Sequence, residues 1–401
     1  MTPKFVFGKE KNDWIKRPLL SNIEKILDYR GRTPKKLGLS WSDTGFLALS
    51  ALNVKNGYID FNADANYGNQ ELYNRWMGDN NLHKGQVVFT TEAPMGNVAQ
   101  IPNDALYILS QRTIAFEVKH HLIREDFLAT LLRSPKIFNE LTSLSSGGTA
   151  KGISQKSLSN LKISLPASLD EQSAIGSLFR TLDDLLASYK DNLANYQSLK
   201  TTMLSKMFPK AGQTVPEIRL DGFEGEWENK ILSEVTNITM GQSPKSENYT
   251  DNPNDYILVQ GNADIKDKQV VPRLWTTEVT KMAEIGDIIL TVRAPVGDIG
   301  KTDYNVVIGR GVAAIKGNDF IFYTLEKMKM TGFWNKFSTG STFESISSND
   351  IKEAIIQIPT LEEQQAIGAY FSNLDDLINS YQEKISQLET LKKKLLQDMF
   401  I

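Results

Sequence analysis

DEQSAIGSLFRTLDDLLASY, Asp170 to Tyr189, recurs as EEQQAIGAYFSNLDDLINSY, Glu362 to Tyr381, at an offset of 192 positions. The offset holds to the end of both copies, where Met207-Phe208 matches Met399-Phe400. Just upstream it becomes 193: GGTAKGIS (Gly147 to Ser154) matches GSTFESIS (Gly340 to Ser347), and Pro166 matches Pro359. Farther upstream the landmarks persist while their spacing drifts. FTTEAPMGNV (Phe89 to Val98) resembles LTVRAPVGDI (Leu290 to Ile299), Gly31-Arg-Thr-Pro34 resembles Gly241-Gln-Ser-Pro244, and Trp14 with Leu20 resembles Trp227 with Leu232. Arg112 and Arg310 take comparable places ahead of an apolar run. A solenoid would repeat several short units. Two units of this length mean a duplicated domain.

Through the quoted stretch and on to Met203, apolar residues fall at Ile175, Leu178, Leu182, Leu185, Tyr189, Tyr196, Leu199 and Met203. In the second copy they fall at Ile367, Tyr370, Leu374, Leu377, Tyr381, Leu388, Leu391 and Leu395. Spacing of this kind, alternately three and four, predicts a helical seam. A further column, Phe179, Leu186 and Leu193 with Phe371, Ile378 and Ile385, widens it on one side. Pro166 and Pro359 precede the helix starts, where proline is tolerated. Each helix is expected to run ~38 residues, roughly 55–60 Å. Each could simply pack on its own domain. Two helices matched in register favour pairing with each other, which would leave the extra column to meet other chains.

Ahead of each helix lies a mixed segment. Gly85-Gln-Val-Val-Phe-Thr and Gly286-Asp-Ile-Ile-Leu-Thr read as buried strands after turns, and Phe127 to Leu132 and Phe320 to Met330 as short helices. Pro209-Lys-Ala-Gly-Gln-Thr-Val-Pro216 reads as a linker. The expected organisation is therefore a domain over 1–165, a long helix over 166–208, a second domain over 209–358 and a second long helix over 359–401. The mixed segments are expected to be α+β, with twisted sheets and large irregular loops.

Composition narrows the function classes. No apolar run approaches the ~20 residues of a membrane span, and MTPKFVFGKEKNDW carries charges where a signal peptide needs an apolar core. A cytoplasmic location is the expectation. The chain has no cysteine, which excludes disulfides and thiolate metal sites. His83, His120 and His121 are too few and badly spaced for zinc. No phosphate-binding loop is present; Gly147-Gly148-Thr-Ala-Lys151-Gly152 has the wrong spacing. No glycine-rich dinucleotide or adenosylmethionine loop follows a strand, and no Pro-Pro pair offers an amino-methyltransferase site. Asp264-Ile-Lys266 with Asp255 could form a nuclease carboxylate–lysine site, but such triplets arise by chance in a chain with 48 acids. Neither a catalytic residue nor a metal site is expected.

Net charge is −3, which taken alone argues against nucleic acid. It is unevenly placed: residues 1–165 hold 21 Lys and Arg against 15 Asp and Glu, whereas residues 209–358 hold 16 against 21. Tyr29-Arg30-Gly31-Arg32-Thr33-Pro34-Lys35-Lys36 combines an aromatic ring, four cations and a rigid turn, and Gly241-Gln242-Ser243-Pro244-Lys245 is its counterpart. Arginine and lysine can bond guanine edges, glutamine can read adenine, and all can hold phosphates. An ordinary solvated loop remains the alternative for any one of these residues.

The ordered set is an Ala-Pro-x-Gly turn, a Gly-Ser or Gly-Thr loop before Ile-Ser, a proline, and a Glu-Gln-x-x-Ile-Gly helix start, all present twice. It resembles the specificity subunits of type I restriction–modification systems, over essentially the whole chain. Val215-Pro-Glu-Ile-Arg-Leu-Asp-Gly-Phe-Glu-Gly-Glu-Trp227 also looks like a domain entry of that family. The resemblance implies an α+β fold of two duplicated target-recognition domains at opposite ends of two long helices that form an antiparallel coiled coil. Each domain would read half of a bipartite site in double-stranded DNA, the helices measuring the spacer and docking two modification subunits. Those partners would bind S-adenosylmethionine and methylate adenine; restriction and motor subunits would use ATP to translocate and cut. No cofactor is expected in this chain. By position, the DNA-binding candidates are Arg30, Arg32, Lys35 and Arg112 in the first domain. In the second they are Gln242, Ser243, Lys245, Arg293 and Arg310, the last two of which could instead brace the fold. The rival readings are a self-sufficient nuclease or methyltransferase with diverged motifs, and a scaffold whose domains bind protein.

Overall fold

Both long helices are present in the computed structural model, over Leu169–Lys206 and Leu361–Met399; the described residues are 14–147, 151–337 and 345–400. Each helix begins after its proline, with Ser168 and Thr360 hydroxyls accepting from the main-chain N–H of Glu171 and Glu363. The repeated Ile-Gly has a packing cause. Ile175 and Ile367 are buried, and a Cβ on Gly176 or Gly368 would fall 2.5 Å from Asp126 Cβ or 2.7 Å from Asp319 Cβ. The helix can lie this close to its domain only where a side chain is missing.

The chain forms two compact units, one of residues up to Asp191 with the segment from Glu383 onward, the other Asn192–Gln382. Both long helices thus contribute to both units. In the first unit the strands are β1 (Ile15–Pro18), β2 (Ile23–Asp28), β3 (Phe46–Leu49), β4 (Tyr67–Gly68), β5 (Val87–Thr90), β6 (Val98–Gln100), β7 (Ile108–Leu109), β8 (Thr113–Val118) and β9 (Lys162–Leu165). The helices are α1 (Gln70–Met77), α2 (Glu125–Leu132), α3 (Pro135–Leu144), α4 (Gln155–Asn160) and α5 (Leu169–Lys206). Its sheets are ordered β2-β8-β5-β6, β4-β3-β7 and β1-β9. Because successive strand residues face opposite ways, Val87 and Phe89 enter the core beneath α2, α3 and α5, while Val88 enters a second core with Trp76 of α1. The strand expected to be buried is buried on both faces.

The second unit repeats this plan. It contains β10 (Glu228–Ile231), α6 (Leu232–Val235), β11 (Ile238–Met240), β12 (Tyr249–Thr250), β13 (Tyr256–Val259), β14 (Ile265–Lys266), β15 (Gln269–Val270), β16 (Trp275–Thr276) and β17 (Met282–Ala283). β18 (Ile288–Thr291), β19 (Ile299–Lys301), β20 (Val306–Ile308), β21 (Val312–Ile315), α7 (Asp319–Met330), α8 (Ser348–Lys352), β22 (Ile355–Ile358) and α9 (Leu361–Met399) follow. Its sheets are ordered β11-β21-β18-β19-β15-β14, β12-β16-β13-β20-β17 and β10-β22. Ile288 and Leu290 face one core and Ile289 the other.

The repeated Met-Phe that closes each copy now has a reason. Phe208, just past α5, lies in the second unit's core, 5.9 Å from Trp227, 5.5 Å from Phe320 and 6.1 Å from Phe371. Phe400, just past α9, lies in the first unit's core, 5.8 Å from Trp14, 5.9 Å from Phe127 and 6.3 Å from Phe179. These are matching quartets in the two copies.

The two helices pair antiparallel within each unit. In the first unit Lys190 meets Glu389 at 2.6 Å and Lys392 meets Asp183; in the second the Tyr196 and Tyr381 rings lie 5.5 Å apart and Lys200 meets Asp375 at 2.6 Å. Packing on the domain and pairing of the helices are therefore both realised. The seam differs from the expectation in one respect. Phe179 and Leu186, and Phe371, Ile378 and Ile385, are buried, so the extra column is internal. Leu185, Leu199, Leu377 and Leu391 form the exposed flank instead, at 36–45% exposure. A 3–4 spacing has two candidate stripes, and the domain cores select the one carrying phenylalanine.

Candidate nucleic-acid interface

In the first unit β2 and β5 both run antiparallel to β8, with Asp28 opposite Ile114 and Thr90 opposite Thr113. The ends of β2 and β5 and the start of β8 therefore share one rim. The loop after Asp28, the Ala93-Pro94 turn and Arg112 meet there, although far apart in sequence. The second unit repeats the arrangement: Met240 lies opposite Ala313 and Thr291 opposite Val312. That brings together Gln242 and Ser243, the turn at Arg293 and Arg310, and the Arg310 N–H donates to Ser243 Oγ at 3.1 Å. Both Ala-Pro bonds, Ala93-Pro94 and Ala294-Pro295, are cis.

The basic loop of the first unit is built rather than loose. Arg30 Nε lies 3.0 and 2.9 Å from the two Asp28 carboxylate oxygens, and its Nη1 donates to the Ile153 carbonyl at 3.1 Å. Burial raises the Asp28 carboxyl, but hydrogen bonds from the Arg30 side chain and main chain and from Gln155 outweigh it and hold it below its ordinary value. Arg32 lies 4.7 Å over the Tyr29 ring and donates to the Trp76 carbonyl. Thr33 caps the short turn Pro34–Leu37, which ends on Gly38 at φ 72°. Lys35 is exposed on that turn. Arg112 Nε meets Glu92 Oε1 at 3.0 Å, both side chains about half exposed.

In the second unit the loop is held by different bonds. The Gln242 N–H donates to the Ile308 carbonyl at 2.9 Å, and the Lys245 N–H donates to Glu278 Oε2 at 2.9 Å. That N–H, together with Asn248, holds the Glu278 carboxyl below its ordinary value. Gln242, Lys245, Arg293 and Arg310 are exposed and Ser243 is half-buried. Eight of the nine candidate side chains are exposed, and of these Arg30 is the one engaged by the Asp28 carboxylate fork.

The structure corrects one correspondence. Ser110 donates to Leu49 as Gly309 donates to Val259, and each accepts the N–H three residues on, of Thr113 and Val312. Arg310 therefore stands in the place of Gln111, and Arg112 in that of Gly311. The two arginines are one residue out of step, because an apolar run marks a strand but not its first paired residue. The paired Gly-Ser and Gly-Thr loops fall partly on residues 148–150 and 338–344, outside the described residues. Their described edges join the rims: Glu92 bridges Gly152 and Arg293 bridges Ser345.

Glu92 was not among the residues singled out by sequence. Its signal was present in the alignment of FTTEAPMGNV with LTVRAPVGDI, which sets an acid against an arginine. One member of each Glu-Gln helix start is internal: Gln172 is fully buried and bonds Leu122, Pro166 and Arg124, and Glu363 is buried against Arg219 at 2.7 Å. These bonds fasten each helix to its domain.

One member of the rival nuclease set, Asp264, is used structurally. Asp264 is buried and accepts from the N–H of Gln260 at 2.7 Å and of Gly261 at 3.2 Å, closing its own turn. His83 is hydrogen-bonded to Glu125 at 2.9 Å. Among the described residues no three His, Asp or Glu side chains are grouped to hold a metal ion, and no helix is long and apolar enough to cross a membrane.

Comparison with known proteins agrees with the duplicated plan. The family model of the type I restriction modification DNA specificity domain matches residues 30–195 and again 224–390. Over 98% of this chain and 94% of its own length, a candidate specificity subunit of type I restriction enzyme MjaX from Methanocaldococcus jannaschii is 28% identical. The type I restriction enzyme EcoBI specificity subunit of Escherichia coli is 23% identical over 73% of this chain and 68% of its own. In fold, the chain resembles the S subunit of a type I restriction-modification system from M. genitalium. The TM-score is 0.67 at 18% identity, over 100% of this chain and 99% of that one.

Proposed function

The chain belongs to the family of type I restriction–modification DNA specificity proteins, and from that premise we propose that it is the reader of a bipartite DNA site, with one domain for each half. The observation that carries this reading is the pair of equivalent rims. In each, arginine, lysine or glutamine side chains from separate strand ends converge on a hydrogen-bonded frame, the geometry needed to present donors to a major groove. Arg30, Arg32, Lys35 and Arg112 serve the first half-site, and Gln242, Ser243, Lys245, Arg293 and Arg310 the second. Arg30 and Arg32, already engaged within the chain, act chiefly by shaping the loop and its charge.

The long helices set the distance between half-sites and dock two modification subunits. Support comes from the exposed leucines: the first unit carries Leu185 and Leu391, the second Leu377 and Leu199, each pair 192 positions from the other. Two equivalent apolar patches suit two copies of one partner. Those partners supply S-adenosylmethionine and the adenine methyl transfer, and ATP-dependent restriction subunits supply cleavage, in the cytoplasm. The second domain is acidic, so its phosphate contacts lean on the modification subunit.

The test is methylation of a randomised duplex library by the chain assembled with its modification subunit, read by methylation-sensitive sequencing. Two fixed half-sites at fixed spacing are expected. Replacing residues 1–165 with the equivalent segment of another family member should change one half-site and leave the other. Methyl transfer by the chain alone, above a heat-treated control, would overturn the reading, as would a swap that alters both half-sites.

A further inference from the structure

The residue before each Ala-Pro turn occupies one structural position with opposite chemistry in the two units. Thr91 N–H donates to the Arg112 carbonyl at 2.9 Å, and Val292 N–H donates to the Gly311 carbonyl at 2.9 Å. Ile153 N–H donates to Thr91 at 2.9 Å and Ile346 N–H to Val292 at 3.0 Å. Thr90 and Thr291 hydroxyls accept from the N–H of Asn97 and Asp298 at 2.9 and 2.8 Å. Between these bonds stand Glu92, bridged to Gly152, and Arg293, bridged to Ser345. Both are exposed on backbone pinned from either side. The frame is shared; only the side chain differs.

We propose that this position reads a base edge in each half-site, Glu92 selecting cytosine and Arg293 guanine. The inference rests on the reading that each rim faces one half-site. A carboxylate on a DNA-facing rim is repelled by phosphates, and on a base edge it can accept only from an amino group. In the major groove those are cytosine N4 and adenine N6. Adenine sets the N7 acceptor beside its amino group, which repels a second carboxylate oxygen, so cytosine is the better match. Arg112, 3.0 Å from Glu92 Oε1, holds the carboxylate while its remaining lone pairs stay open. In the second unit Gly311 takes the place of Arg112 and offers no side chain. The planar fork of Arg293 suits the paired O6 and N7 acceptors of guanine.

The experiment uses the full chain assembled with its modification subunit and the randomised duplex library, comparing wild type with Glu92→Gln and Arg293→Gln. Glutamine bonds adenine through N6 and N7, so both variants should converge on adenine. E92Q should move one position of the first half-site from cytosine to adenine, and R293Q one position of the second from guanine to adenine. Each preference should change about tenfold or more, with every other position unmoved. If a variant abolishes methylation, duplexes bound by the same complex are selected from the library and sequenced instead, with the same expectation. Unchanged preferences at every position, or a uniform loss of binding across all sequences, would overturn the inference while leaving the bipartite reading intact. A wild-type complex without two half-sites would remove that reading, and this inference with it.

Discussion

Lys200 Nζ lies 2.6 Å from Asp375 Oδ1 on the facing helix, and 192 positions later Lys392 pairs with Asp183, so one interhelical ion pair is used in both units. Its surroundings differ. Asp183 has a second cation in Arg133, at 2.6 Å. Around Lys200 stand Glu326 at 2.9 Å, Lys268, which meets Glu326 at 2.6 Å and Asp375 at 3.2 Å, and the Tyr323 hydroxyl, which donates to Asp375 at 3.0 Å. Burial pulls the Lys200 ammonium below its ordinary range, against the pull of Glu326 and Asp375, and burial beside Asp375 pushes the Tyr323 hydroxyl up.

This asymmetry predicts unequal costs. Lys200→Met leaves two partly buried carboxylates to a single lysine and should destabilise the second unit by about 3 kcal/mol or more. Lys392→Met leaves Asp183 with Arg133 and should cost about 1 kcal/mol. Hydrogen exchange of the amides of Ile367–Asn379 and Ile175–Leu186 measures the two effects separately. Equal losses of protection would contradict the arrangement.

Lys268 makes its ion pairs from a strained backbone. The β14–β15 hairpin turns at Asp267 and Lys268, with φ of 49° and 63°, where the matching tip of the first unit, between Val54 and Ile59, has Gly57. Lys268→Ala and Lys268→Gly both lose the ion pairs, but glycine also relieves the left-handed conformation. Lys268→Gly should therefore be the more stable of the two by about 1 kcal/mol. Denaturant midpoints of the two variants decide it, and a glycine variant no better than alanine would refute the strain.

Asp28 gives a pH signature. Its carboxyl is held below the ordinary value of 3.8 in the folded chain, so its contribution is present above the ordinary value and disappears as pH falls through the folded one. Asp28→Asn should lower the thermal midpoint near neutrality, and the gap to wild type should close below pH about 3.8. A gap that widens with acid would reverse the sign. Because Asp28 also holds Arg30, the same variant should weaken DNA binding at the first half-site only.

Spacer length should follow helix length, but only when both helices change. An insertion in α5 alone would shift its pairing with α9, since each unit contains part of both. Four residues inserted after Asp191 and four after Gln382 keep the interior of each unit and add about 6 Å. Translation then favours one or two more base pairs, and the helical rotation of about 40° matches one. A seven-residue pair keeps the seam in phase but adds about 10 Å with little rotation, against roughly 100° for three base pairs, and should be tolerated worse. Methylation of plasmids with graded spacers checks both. An active four-residue variant that keeps the original spacer would end the ruler idea.

The sequence alone determined the duplication, the two long helices and the buried strands, because these depend on local periodicity and on residues repeated at fixed offsets. Ile175-Gly176 and Met207-Phe208 were visible as repeats, although not why they repeat. Tertiary structure decided that. Gly176 is set by the approach of Asp126, and Phe208 and Phe400 by the cores in which they end. It also decided which apolar stripe is internal, since a 3–4 spacing specifies a face of a helix but not what covers it. The rims lay beyond the sequence for the same reason: Arg30 and Arg112 become neighbours only through the antiparallel register of β2 and β8. The one-residue step between Arg112 and Arg310 was settled by main-chain hydrogen bonds, which depend on backbone groups that every residue carries and no side chain announces.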